Sequence, residues 1–228
     1  MPSSLLPCIE HETGARPDAS VIVLHGLGAD GNDFVPIVEE LALPPRSAIR
    51  FVFPHAPVRP VTVNGGYPMR AWYDISGADL TDRADLEGVR TSAAQVDALI
   101  VRERTRGVAA SRVVLAGFSQ GGAIALYAGL RHAERLAGIV ALSTYLIGGD
   151  ALEAERAPAN RDVPIFMAHG TQDPVVRFQW GEASRRQLEQ LGHRVEWHAY
   201  PMPHSVVWEE IEALAAFLAR VLPPLARE

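Results

Sequence analysis

The chain has 228 residues, a length at which one α/β domain buries a large core, and its 48% hydrophobic and 21% charged residues exclude a mostly disordered polymer. A formal charge of −6 denies it the positive field that nucleic acid or an anionic membrane surface would require. All 21 basic residues are arginine, which removes Schiff-base, P-loop-lysine and Ser/Lys chemistry, and the lone Cys8 removes both an intrachain disulfide and a zinc site built on two or more cysteines.

Taken from the start, Met1-Pro2-Ser3-Ser4-Leu5-Leu6-Pro7 has no basic segment followed by an apolar one, and no apolar run elsewhere approaches ~18 residues. A cytoplasmic protein with no metal, no cofactor and no membrane span is the expectation. Short apolar, β-branched runs at Val21–Leu24, Ile49–Phe53, Arg112–Ala116, Gly138–Leu142, Pro164–Ala168 and Arg194–Tyr200 read as strands. Their apolar character is nearly continuous, as parallel strands covered on both faces require. Between them Val89, Ala93, Val96, Leu99 and Ile100 share one helical face, Gly121–Leu130 is apolar all round, and Val207, Ile211, Leu214, Leu218 and Val221 form a last amphipathic stripe. Strand and helix alternate, so the expected fold is a single α/β domain over residues 1–228, with a mostly parallel sheet and helices on both faces.

One stretch, Ala56–Glu87, breaks the rhythm: Pro57, Pro60, Gly65, Gly66, Pro68 and Gly77 interrupt it and no period is sustained. It reads as a long lid-like excursion. Long excursions in compact domains commonly carry binding residues, and Tyr67, Met69, Trp72 and Tyr73 supply apolar contact area here. The plainer alternative is that these side chains pack the loop onto the core.

Gly117-Phe118-Ser119-Gln120-Gly121 matches G-x-S-x-G, preceded by a strand and followed by a helix. That setting is what a nucleophile elbow needs, because the serine sits on a strained turn where only small neighbours let the two backbones approach. A serine hydroxyl is a weak nucleophile until a base takes its proton and a carboxylate orients that base. His204, in Tyr200-Pro201-Met202-Pro203-His204, and Asp173, in His169-Gly170-Thr171-Gln172-Asp173, each lie just past a strand's carboxyl end, where open α/β sheets place their ligands. Either residue alone would more often cap a turn. Together, in the order Ser119, Asp173, His204, they form the triad order of an α/β-hydrolase.

Acyl transfer also needs donors for an oxyanion. The backbone N–H of Gln120, next after the nucleophile, is one; the loop His25-Gly26-Leu27-Gly28 supplies a second from Leu27. Glycines 26, 28 and 31 also spell a dinucleotide loop, but Asp30-Gly31-Asn32-Asp33 puts acid where a pyrophosphate would lie. His25 and His169 are read as structural residues that hold their loops.

With these residues assembled, the sequence resembles the phospholipase/carboxylesterase family of α/β-hydrolases, which includes the acyl-protein thioesterases. The resemblance spans nearly the whole chain and rests on His25-Gly26-Leu27-Gly28, Met69-Arg70-Ala71-Trp72-Tyr73-Asp74-Ile75, Gly117-Phe118-Ser119-Gln120-Gly121-Gly122, Leu142-Ser143-Thr144-Tyr145, His169-Gly170-Thr171-Gln172-Asp173-Pro174-Val175-Val176 and Tyr200-Pro201-Met202-Pro203-His204. It implies hydrolysis of carboxylic esters, thioesters or lysophospholipids by the Ser119, Asp173, His204 triad without metal or cofactor, with the N–H groups of Leu27 and Gln120 as oxyanion donors. Two departures stand out: Pro203 precedes the histidine where the family has glycine, and Leu146-Ile147-Gly148-Gly149 stands where a proline is common. The expected partner is a small-molecule acyl ester or thioester, its chain lying in a groove formed by Trp72, Ile75, Leu146, Val175 and Val176. Rival readings are a lysophospholipase, a peptidase built on the same triad, and a ligand-binding relative that has lost turnover.

Overall fold

The computed structural model describes residues 5–77 and 85–225. Its elements are β1 (Cys8–Glu12), β2 (Ala19–Leu24), the short helix α1 (Ile37–Glu40), β3 (Ile49–Pro54), β4 (Val58–Val61), β5 (Tyr67–Arg70), α2 (Leu86–Thr105), β6 (Val113–Phe118), α3 (Gln120–Arg131), β7 (Gly138–Leu142), α4 (Gly149–Glu155), β8 (Ile165–Gly170), α5 (Phe178–Gln190), β9 (Val195–Tyr200) and α6 (Trp208–Val221). The main sheet has the order β1-β3-β2-β6-β7-β8-β9, parallel throughout except for β1, which runs antiparallel to β3 at one edge.

The continuous apolar runs now have their cause. Along β2 and β6, Val21 and Val114 enter the core on one face while Ile22 and Leu115 enter the core on the other. Helices α2 and α3 cover the second face through Val96, Leu99, Ile124 and Leu126; α6 covers the first through Leu214, Phe217 and Leu218. Helix α3 is buried along Gln120–Leu130, as an all-round apolar sequence requires.

The order of the strands also fixes where a ligand can sit. From β2 the chain moves outward to β3 on one side, and the next strand of the main sheet, β6, pairs with β2 on the other. The connections after β2 and β6 therefore diverge, opening a crevice at the carboxyl ends of those two strands. Leu27 follows the first and Ser119 the second.

The excursion at 56–87 holds more order than its sequence announces, and residues 78–84 of it lie outside the described residues. Strands β4 and β5 form an antiparallel hairpin in which Pro60 faces Pro68. Two prolines in register, each lacking an N–H, disguise an exposed hairpin as a coil. Strand β1 and helices α4 and α5 are likewise additions to the elements read from sequence.

One buried charge has a consequence for stability. Glu210, in the first turn of α6, is wholly enclosed, and burial pushes its carboxyl up to about 8, with the Val207 N–H pulling weakly the other way. The folded state thus holds a proton that the unfolded chain releases near the ordinary glutamate value, so this contribution is complete at low pH and is lost as pH rises toward about 8. The urea midpoint should fall between about pH 4.5 and about pH 8, and Glu210→Gln should flatten that decline. An equal decline in the variant would remove Glu210 as its cause.

Candidate active site

Strand β6 ends at Phe118, and the chain reverses at Ser119 with φ 54° and ψ −120°, a conformation costly to any residue with a side chain, before α3 begins at Gln120. Its neighbours show why it is imposed. A β-carbon on Gly117 would lie 2.3 Å from the Gly121 carbonyl, and one on Gly121 would lie 2.2 Å from Leu24 O. At Gly122 the clash would be with the Thr144 side chain, at 2.8 Å. The turn is then pinned by polar contacts: the Ser119 N–H donates to Leu142 O at 2.8 Å, and Ser119 O accepts from Thr144 Oγ1 at 2.6 Å.

Asp173 and His204 come from the loops after β8 and β9, and His204 Nδ1 lies 2.7 Å from Asp173 Oδ2. The other carboxylate oxygen, Oδ1, accepts the N–H groups of Val175 and Val176 at 2.8 and 2.9 Å, which fixes the carboxylate's orientation. His169 supports this turn from below, donating from Nε2 to Val176 O at 2.8 Å. Burial holds the His169 ring below the ordinary histidine value, so the proton it carries serves this bond. The two loops cross at Gly170, where a β-carbon would meet Met202 O at 2.3 Å and Pro203 O at 2.5 Å. On its other side the His204 ring packs against Phe118, the residue before Ser119, with ring centroids 4.7 Å apart. Pro203, with no N–H to give, offers its carbonyl to the Ser205 N–H at 2.9 Å.

Across the crevice, His25 is enclosed and its tautomer follows from its partners. Nε2 accepts the Ala56 N–H at 3.0 Å, so Nδ1 carries the proton and donates to Gly26 O at 2.7 Å. Burial depresses its basicity and keeps it neutral. Among the described residues, neither the N–H of Leu27 nor that of Gln120 has an intramolecular partner; Gln120 opens a helix, where N–H groups are free by construction. Gly31 is explained by packing: a β-carbon there would lie 2.5 Å from Phe53 O, so this glycine allows close approach to β3.

A cleft of about 230 Å³ opens at Ser119, walled by Leu27, Ile75, Val175 and Gln120. Val63 and Asn64 of the hairpin turn, Gly77 and Tyr145 complete its walls, and the sequence reading named none of these as substrate contacts. Three expected groove residues lie elsewhere. Trp72 is 0% exposed, its Nε1–H donates to His25 O at 2.9 Å, and its backbone N–H donates to Gln120 Oε1 at 2.8 Å. It is a core residue, because its indole fills the space beneath the loop and its one polar atom finds a carbonyl there. Val176 is likewise fully buried, turned inward by the bonds that its own N–H and carbonyl make around Asp173. Leu146 lines an adjoining cavity instead, held by its N–H on Ser184 Oγ at 2.8 Å.

A model of the family described as Phospholipase/Carboxylesterase matches residues 8–222. The chain is 41% identical to acyl-protein thioesterase 1 of Neurospora crassa, over 99% of this chain and 94% of the relative. It is 38% identical to acyl-protein thioesterase 1 of Mycosarcoma maydis, over 94% and 96%. Among solved structures, Arabidopsis thaliana SOBER1 aligns with a TM-score of 0.83 at 30% identity, covering 90% of this chain and 99% of that one. Zea mays acyl-protein thioesterase 2 also gives 0.83, at 30% identity over 95% and 99%. The chain therefore belongs to the phospholipase/carboxylesterase family of α/β-hydrolases, and it is a hydrolase of the ester and thioester class.

The burial of Trp72 sets an expected outcome. Trp72→Ala should cost about 3–5 kcal/mol and lower the melting temperature by on the order of 10 °C, with every ester substrate affected alike. A variant that melts like the wild type but changes acyl-length preference would return Trp72 to the groove.

Proposed function

We propose that this protein hydrolyses small-to-medium acyl esters or thioesters through an acyl-enzyme on Ser119. The observation that carries the reading is the 2.7 Å contact between His204 and Asp173, made where the His204 ring rests on the residue beside the strained serine. In the proposed sequence, His204 Nε2 takes the Ser119 hydroxyl proton as Oγ attacks the carbonyl carbon. Negative charge moves to the carbonyl oxygen and is met by the N–H groups of Leu27 and Gln120, which need no reorganisation to receive it. His204 then returns the proton to the leaving alkoxide or thiolate, and a water attacks the acyl-enzyme with the same base. Asp173 stays ionised throughout and stabilises the imidazolium. The relatives named as acyl-protein thioesterases support the substrate class. Cleft size supports a modest acyl group.

A cytoplasmic location is part of the same proposal, supported by a single, half-buried cysteine. Among the described residues no helix is long and apolar enough to cross a membrane.

Labelling with a serine-directed fluorophosphonate, then assays on a short ester, its thioester, a lysophospholipid and a peptide anilide, separate this reading from its rivals. Ser119→Ala should abolish labelling and lower ester turnover by ~10³-fold or more with the fold intact. Asp173→Asn should lower kcat far more than it raises KM, since it disturbs the base and leaves the cleft in place. Labelling at another serine, or a silent Asp173→Asn, would redraw the triad.

A further inference from the structure

Beside the cleft at Ser119 lies a second, larger cavity of about 610 Å³, with Leu146, Ile147 and Trp180 among its apolar walls and Asp150 and Gln187 among its polar ones. Tyr145 borders both spaces. Its hydroxyl is 2.7 Å from the hydroxyl of Tyr73, and both residues are almost wholly buried. We propose that this Tyr73–Tyr145 pair is the stop that limits how long an acyl chain the cleft accepts, an inference that rests on the acyl-ester reading above.

The ring of Tyr145 is held from several directions. Trp180 meets it edge-on at 6.5 Å between centroids, and the next residue, Leu146, is tied to Ser184 Oγ, which in turn donates to Trp180 O at 2.7 Å. Tyr73 is fixed by its carbonyl, which accepts from Gln120 Nε2 at 2.8 Å. The stop is thus fastened to the residue that follows the nucleophile. Swinging Tyr145 aside would leave two buried hydroxyls unpaired, which opposes spontaneous opening. Size gives the consequence: the cleft alone is smaller than the ~300–1,000 Å³ usual for ligand pockets, whereas cleft and cavity joined fall within that range. With Tyr145 in place the cleft favours the short end of the small-to-medium range; without it the longer chains gain a path to Leu146 and Ile147.

The test measures kcat/KM for 4-nitrophenyl acetate, butyrate, octanoate and dodecanoate on the wild type, Tyr145→Ala, Tyr145→Phe and Tyr73→Phe. The wild type should favour butyrate over octanoate. Tyr145→Ala should raise the octanoate-to-butyrate ratio by about tenfold or more, each newly buried methylene being worth roughly fourfold. The two phenylalanine variants keep both rings and delete one hydroxyl, and should raise the ratio by a smaller factor. An unchanged ratio in a Tyr145→Ala protein of near wild-type melting temperature overturns the proposal, as does a wild type that already prefers octanoate. A shift in Tyr145→Ala with none in either phenylalanine variant overturns the role of the hydroxyl pair. If Tyr145→Ala does not fold, the phenylalanine variants decide, and no shift in either overturns it. A wild type inactive on all four esters refutes the acyl-ester reading itself; butanoate and dodecanoate binding, followed by thermal shift, then tests the stop, and equal chain-length discrimination by wild type and the variants refutes it.

Discussion

Behind Ser119 three backbones pass at distances that leave no room for a β-carbon. Gly121 meets the carbonyl of Leu24 at the end of β2, and Gly117 on β6 meets Gly121 on α3. Once those contacts are made, strand, helix and neighbouring strand move as one body, and the serine between them is forced to φ 54°. The cost of that conformation is met by burial of α3 and by the hydrogen bonds to Leu142 and Thr144. The same packing sets the site's width. Leu27 sits three residues past the Leu24 carbonyl that Gly121 touches, so the packing that seats the elbow also fixes the start of the loop that carries Leu27.

The side chain of Gln120 carries this rigidity outward. It accepts from the Trp72 N–H and donates to the Tyr73 carbonyl, so one amide takes over two backbone groups of the loop that follows the hairpin. Trp72 then caps His25 O, and His25 in turn accepts the Ala56 N–H at the start of the same excursion. The hairpin between Ala56 and Trp72 is thus held by buried hydrogen bonds on both sides, which lets a largely exposed segment form a defined wall. A large aromatic side chain set in a loop, as Trp72 is, reads from sequence as a groove residue. Its burial follows from a chain of partners, Gln120, His25 and Ser92, that lie 20 to 48 positions away along the sequence.

The legible parts of the sequence were those with local signals. A parallel sheet follows from runs such as Val113–Leu115 that are apolar at every position, and an elbow follows from glycines placed two before and two after a serine between a strand and a helix. The hairpin was hidden because Pro60 and Pro68 erase the alternation that marks a strand, yet they face each other in register, so neither removes a bond from a third strand. Gly170 gave no local sign either: it permits the crossing of the Asp173 and His204 loops, and its partners are carbonyls of Met202 and Pro203 more than thirty residues on. Tyr145 lies within Leu142-Ser143-Thr144-Tyr145, but its place between two cavities depends on a hydroxyl contact with Tyr73 across 72 residues.

Three histidines surround the candidate site, and their partners give each a different task. His25 receives an N–H at Nε2 and gives one at Nδ1, so protonating it would break the Ala56 bond inside an enclosed space. His169 spends its Nε2 proton on Val176 O, and its Nδ1 edge lies against Gly181 so closely that a β-carbon there would come within 2.3 Å. Burial lowers the basicity of both. His204 differs in each respect: it keeps 17% of its side chain in solvent, and its Nδ1 faces a carboxylate that two backbone N–H groups already hold in position. Protonation of His25 would cost a hydrogen bond as well as hydration, and protonation of His169 would place a charge where solvent does not reach, whereas His204 Nδ1 already meets a carboxylate. On the proposed reading, two of the three rings are committed to holding loops, and His204 is the one whose partner is a carboxylate and whose ring reaches solvent.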